Sequence, residues 1–308
     1  MPRNKNLLSL GIIVLIILLN LFWLPSTGWW GQLTVSADGK KQAALDILNF
    51  QHPLYASVTA KSLPDVQAQA YILVDNLTNQ ILVSKNPHSR IYPASTTKLA
   101  TVLTALNLYP LDEVITADQY TEGQNMKLVQ GEKMTVRNLV TALLVYSAND
   151  AAYNLANHYT GGVSGFVSQM NSLAQKYNLQ DTHFVTFDGL HDPNHFSSAY
   201  DLSQFGRLAI KNPVVKETVK TRSISVTDID GKISHPLVTT NELLGVVPEI
   251  EGLKTGWTPE AGGCFVGLIN IGGHELISVV ADSPDRFADT KNIVDWAKTN
   301  INWDKYKP

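Results

Sequence analysis

The chain has 308 residues, 44% of them hydrophobic and 17% charged, the proportions of a folded protein with a sizeable core rather than of a disordered one. A net charge of −3 argues against nucleic acid as a partner. A single cysteine, Cys264, excludes an internal disulfide framework and a cysteine-rich metal site.

The first predicted element is an apolar run, Leu7 to Leu24, broken only by Ser9, Gly11 and Asn20 and preceded by Arg3 and Lys5. Basic residues followed by such a run are a membrane address. Its length is enough to cross about 30 Å of hydrocarbon. Trp23, Trp29 and Trp30 would lie near the outer interface. Val35-Ser36-Ala37 is a small-residue site where a signal could be cut. An uncleaved anchor is the preferred reading and a cleaved signal peptide the alternative; either puts the rest of the chain outside the cytoplasm. Residues 1–37 are thus expected to be anchor or signal. Residues 38–67 are expected to be a linker with one short helical candidate, Gln42 to Asn49, and residues 68–308 the main domain.

Ala70 to Val74 and Ile81 to Val83 are β-type runs around the turn formers of 75–80, a hairpin. A helix is expected after Pro93, with Leu99, Val102, Leu103 and Leu106 on one face. Leu111 to Glu132 reads as irregular and polar. Thr135 caps a second helix that ends at Tyr146-Ser147-Ala148-Asn149-Asp150. Further helices are expected from Ala151 to Tyr159 and, after Gly161-Gly162, from Phe166 to Tyr177. Phe184 to Phe196 is a polar loop, and Ser197 or Ser198 caps a helix through Ile210, with a shorter one after Pro213. Ser223 to Thr227 alternates like a strand ahead of the turn Asp230-Gly231. Leu253 to Trp257, Cys264 to Ile269 and, past Gly272-Gly273, Leu276 to Val280 form strands, the last two a hairpin. A closing helix runs from Arg286 to Asn300, with no second domain expected after it. Strands at both ends of a helical middle imply an α+β fold: one antiparallel sheet built from the two terminal hairpins, flanked by helices and carrying a helical subdomain.

Chemistry concentrates at Pro93-Ala94-Ser95-Thr96-Thr97-Lys98. Residues three apart are neighbours on a helix, so Ser95 and Lys98 meet at its first turn. Serine is a poor nucleophile until a base takes its proton, and a buried lysine near other cations can become that base. Alone, the pair is better explained by a capping serine beside a solvated lysine. Two further motifs follow in order, Ser147-x-Asn149 and Lys254-Thr255-Gly256. Ser-x-x-Lys and Lys-Thr-Gly occur once each; Ser-x-Asn recurs at Ser84-Lys85-Asn86, ahead of Ser95.

The ordered set resembles the serine penicillin-recognising enzymes, and in detail the D-alanyl-D-alanine carboxypeptidases among the low-molecular-weight penicillin-binding proteins. Pro93 to Lys98, Gly189-Leu190, Phe196 to Leu202, Asn241 to Leu244 and Gly252 to Thr258 with Ala261-Gly262 all resemble that family's segments, over residues 68 to 300. The resemblance implies that Ser95 attacks the terminal D-Ala-D-Ala bond to form an acyl-enzyme, with Lys98 as base and Ser147 relaying a proton to the leaving amine. It implies that Asn149 holds the substrate amide or Lys98. Lys254, Thr255 and Arg286 would receive the terminal carboxylate, and the N–H groups of Ser95 and Trp257 would form the oxyanion hole beside Gly256. Neither metal nor other cofactor is implied. His191 and His195, near Asp188 and Asp192, have the look of metal ligands, but the loop belongs to a non-metal family, some of whose members carry histidine in place of Asp188. Cys264 reads as a packing residue, and Tyr146 and Trp257 as possible groove walls. A class A β-lactamase would need Glu-x-x-Leu-Asn after Ser147, which is absent.

The expected protein is therefore an exported serine D,D-carboxypeptidase. Its substrate would be a peptidoglycan stem peptide ending in D-Ala-D-Ala, and β-lactams would be covalent inhibitors. The alternatives are a D,D-endopeptidase of cross-links, a β-lactamase or esterase, and a catalytically silent, membrane-tethered wall-binding module.

Overall fold

A computed structural model describes residues 56–59 and 62–303, all within a compact unit spanning residues 52–308. The apolar run Leu7 to Leu24 and the Gln42 to Asn49 helix candidate lie outside the described residues. Among the described residues, no helix is long and apolar enough to cross a membrane.

The central sheet has five antiparallel strands in the order β3-β2-β10-β9-β8. These are β2 Ala70–Asp75, β3 Ile81–Lys85, β8 Ile250–Thr258, β9 Gly262–Ile271 and β10 His274–Ser283. The N-terminal hairpin joins the C-terminal one where β2 pairs with β10, Ile72 opposite Val279. All six residues of β2 are buried. Ile72 and Val74 face one core cluster with the central helices. Tyr71 and Leu73 face the other, with the closing helix α7, Arg286–Asn300. A strand covered on both faces needs apolar residues at every position, which is why these segments read as unbroken hydrophobic runs.

The helical side comprises α1 Lys98–Leu108, α2 Val136–Val145, α3 Asn149–Asn157, α4 Gly162–Lys176, α5 Ala199–Ala209 and the short α6 Pro213–Thr218. Thr135 caps α2 by accepting from Asn138 N–H at 3.2 Å. Of the two candidate serines, it is Ser198 that caps α5, accepting from Asp201 N–H. Asp285 caps α7 through Phe287 N–H and Ala288 N–H.

Several boundaries differ from the sequence reading. Residues 94–97 form a 3-10 turn, and α1 begins only at Lys98. The stretch read as irregular holds β4, Val114–Thr116, which pairs with β5, Lys133–Thr135. The strand β6, Ser223–Thr227, has an unforeseen partner in β7, Ser234–Val238. The end of the expected linker is docked rather than free. Strand β1, Ser57–Val58, pairs with β11, Ile301–Asn302, and Asp289 of α7 accepts from Gln67 N–H and Ala68 N–H. Cys264 is buried in β9 against the carbonyl of Tyr92, and burial pushes its thiol up to about 11, the behaviour of a packing residue.

Candidate active site

Three segments converge where the sheet meets the helical side: the 3-10 turn, the α2–α3 joint and β8. In the turn, Ala94, immediately ahead of Ser95, takes a left-handed backbone (φ 47°). Two glycines allow the neighbours to close on it. A Cβ at Gly256 of β8 would stand 2.7 Å from Ser95 N, and one at Gly189 would stand 1.9 Å from the carbonyl oxygen of Ala94.

Lys98 is fully buried. Its Nζ lies 2.8 Å from Ser95 Oγ and donates to the backbone carbonyl of Asp188, also at 2.8 Å. Burial lowers this amine to about 8, against the opposing pull of the Asp188 carboxylate. A second buried lysine, Lys254 on β8, donates to the carbonyl of Thr255 at 2.9 Å. Its amine is driven far below the ordinary lysine range by burial, and then by the positive charges of Lys98 and Arg286.

Ser147, the joint between α2 and α3, also has a left-handed backbone (φ 66°) and is buried. Asn149 opens α3. Its side chain donates to Glu122 O at 3.1 Å and its backbone N–H to Gln124 O at 2.6 Å. The structure thus ties Asn149 to the 122–124 loop, and the expected contact with Lys98 is not among its described hydrogen bonds. Thr255 Oγ1 lies 2.6 Å from Thr240 Oγ1. Arg286, first residue of α7, stacks over the Phe287 ring, and its buried Nε has no partner among the described residues. An unpartnered donor on a guanidinium beside a cleft is set up for an anion.

These residues line one cleft of about 270 Å³. Ser95, Ser147, Asn149, Thr255, Gly256, Trp257 and Arg286 all reach it, while Lys98 and Lys254 lie beneath. Sequence reasoning missed Thr240 and Gln124, which carry no motif and come from loops. It passed over the carbonyl of Asp188, whose only signal was its place before Gly189-Leu190.

Both ring nitrogens of His195 are engaged within the protein. His195 Nδ1 accepts from Val185 N–H and Thr186 N–H, and Nε2 lies 2.8 Å from Thr97 Oγ1. Burial lowers it to about 4, so at neutral pH it is an uncharged brace under the Ser95 turn. His191 meets the Tyr92 ring edge-on.

Sheet, helical side and the three motif segments at their junction define a class, that of the serine penicillin-recognising proteins. The sequence profile of the D-alanyl-D-alanine carboxypeptidases, peptidase S11, matches residues 57–285, and the chain belongs to that family. It is 33% identical over 256 residues to the D-alanyl-D-alanine carboxypeptidase DacD of Salmonella typhimurium, covering 77% of this chain and 64% of that one. It therefore spans just under two thirds of that relative's length. A D-alanyl-D-alanine endopeptidase of Escherichia coli is 29% identical, over 79% of this chain and 81% of its own. The crystal structure of the Streptomyces K15 DD-transpeptidase superposes with a TM-score of 0.73 at 30% identity, covering 77% of this chain and 99% of that one.

Proposed function

We propose that the protein is a serine-type D-Ala-D-Ala carboxypeptidase acting on peptidoglycan stem peptides. The observation that carries this reading is the 2.8 Å approach of buried Lys98 Nζ to Ser95 Oγ, with the Thr240–Thr255 hydroxyl pair and Arg286 in the same cleft.

Ser95 Oγ attacks the carbonyl carbon of the penultimate D-alanine as its proton passes to Lys98 Nζ. The developing oxyanion is received by the N–H groups of Ser95 and Trp257, each such donor being worth about 3–4 kcal/mol. The C–N bond then breaks, and Lys98 returns the proton through Ser147 to the leaving amine, which departs as D-alanine. Water hydrolyses the ester, with Lys98 again as base. Asn149 orients the substrate amide; Lys254, Thr255 and Arg286 hold the terminal carboxylate; Gly256 leaves room for the close approach of strand and turn. A β-lactam enters the same path and stalls as the acyl-enzyme. The same residues serve a D,D-endopeptidase, the reading that the Escherichia coli relative favours. Residues 1–37 would hold the domain at the outer face of the cell membrane as an anchor, or be removed as a signal.

The test is labelling of the full chain with a fluorescent penicillin beside Ser95→Ala. Label on wild type alone is the expected result, and a folded wild type that takes no label overturns the reading. D-alanine release from a pentapeptide, against cleavage of a cross-linked dimer, then separates carboxypeptidase from endopeptidase.

A further inference from the structure

The residue that grips Lys98 from behind is Asp188, and it grips with its main chain. Its carboxylate is free for another task and is itself buried, 1% exposed. One oxygen accepts the Tyr120 hydroxyl at 3.0 Å and the other accepts Leu190 N–H at 3.1 Å. Tyr120 is held in turn by stacking on Tyr153, with ring centroids 4.7 Å apart. A buried carboxylate with two neutral donors still favours a positive neighbour.

The charged groups around Lys98 come from three sides. From the 184–196 loop comes Asp188, with Tyr120 of the stretch between β4 and β5 hydrogen-bonded to it. From β8 comes Lys254, with Arg286 beyond it at the start of α7. Asp188 thus stands against Lys98, which it meets through its carbonyl at 2.8 Å, whereas Lys254 donates to the neutral carbonyl of Thr255 and the charges acting on it are those of Lys98 and Arg286. Protonating both amines sets two buried ammoniums against each other. With the cleft empty, the one beside the carboxylate is the better place for a proton.

We propose that Asp188, braced by Tyr120, is a positioning residue that parks the proton on Lys98 in the free enzyme, and that the carboxylate of an incoming substrate releases it. This rests on the acyl-enzyme reading above. When an anion settles by Thr255 and Arg286, a cleft water gives a proton to Lys254 and is restored by the proton that Lys98 gives up, so that one proton passes from Lys98 to Lys254. The proton count is unchanged, and the amine beside Ser95 becomes the base. The substrate's own charge switches on the group that attacks it, so an empty site has no activated serine to spend on stray electrophiles.

The experiment is single-turnover labelling of the full chain with a fluorescent penicillin as a function of pH. The rate at limiting penicillin reports the free enzyme, and the saturated rate reports the complex. In wild type the first should show an acid limb near about 8. Asp188→Asn removes the charge, keeps the oxygen that accepts from Leu190 N–H and turns the Tyr120 contact round, the new amide donating to the phenol oxygen. Its limb should move down by roughly one unit, which raises labelling on the acid side about tenfold relative to its own plateau. A curve that drops at every pH with its limb unmoved would mean that Asp188 is merely structural. If Asp188→Asn melts early, wild type decides alone. With a free-carboxylate penicillin the saturated limb should lie below the limiting one; with the penicillin methyl ester the two should coincide. Coincidence with both compounds overturns the inference while leaving serine acylation intact, whereas no label at any pH overturns both.

Discussion

Beneath Ser95, main chain meets main chain. Gly256 and Gly189 lie so close to the turn that a single added methyl would overlap Ser95 N or the Ala94 carbonyl, and His195 is wedged under Thr97 by polar contacts to Thr97, Val185 and Thr186. In the same cleft, Trp257 is 60% exposed and forms part of its rim. The floor, where a few tenths of an ångström decide whether Ser95 and Lys98 meet, is built from backbone with no slack. The rim is built from side chains, which can move without disturbing the chemistry. Substitutions at the two places should therefore differ in kind: floor changes should cost stability and labelling together, and rim changes should touch recognition alone.

The largest effect is expected at Gly189. Its φ of +87° is one that side-chain-bearing residues avoid, and its Cβ would stand 1.9 Å from a carbonyl oxygen that has no freedom to swing away. Gly189→Ala should destabilise by more than about 4 kcal/mol and lower the melting temperature by about 10 °C or more. Penicillin labelling should fall with it. A variant that melts normally and labels normally would show that the floor has slack after all.

Next comes acid. His195 takes up a proton near its ordinary 6.5 in the unfolded chain but only near about 4 when folded. The unfolded chain therefore binds the proton that the folded one refuses, so this contribution is complete above about 6.5 and is lost as pH falls toward 4. The loss over that window is about 3 kcal/mol. Denaturant midpoints of wild type and His195→Asn, compared across the window, should converge as pH falls. Parallel curves would remove His195 from the floor.

Legibility in the sequence follows the same division. The sheet was readable because strands buried on both faces need uninterrupted apolar runs, as in Ala70 to Val74 and Leu276 to Val280. The span of α7, Arg286 to Asn300, was readable as well, whereas its capping residue Asp285 was not singled out. That Ser95, Lys98, Ser147 and Lys254 would come together was legible because the chemistry proposed for them needs fixed residue types at fixed local spacing. What failed lacked either signal. Strands β4 and β5 are three residues each, too short for a period to show. A 3-10 turn and the first turn of an α-helix place residues i and i+3 alike, so nothing in the spacing told them apart. Thr240 and Gln124 act through position alone, brought to the cleft by loops. Asp188 reaches Lys98 with its carbonyl, an atom that every residue carries.

The smallest effect is expected at Trp257, and it tests the comparison most sharply because the residue belongs to both regions. Its backbone lies on β8 in register with Gly263, one residue past Gly256, and its N–H is assigned above to the oxyanion hole. Its side chain stands in solvent at the rim. Trp257→Ala removes the ring but keeps the strand, the register and the N–H. Stability should change by less than about 0.5 kcal/mol, as for other exposed positions. Acylation by a small penicillin should fall less than about tenfold, that is, by under about 1.4 kcal/mol. A longer stem peptide has to cross the rim, so D-alanine release from it should fall further, through KM rather than kcat. If the small penicillin instead lost a hundredfold with the melting temperature unchanged, the ring would be holding the β8 backbone in place, and the floor would extend to the surface.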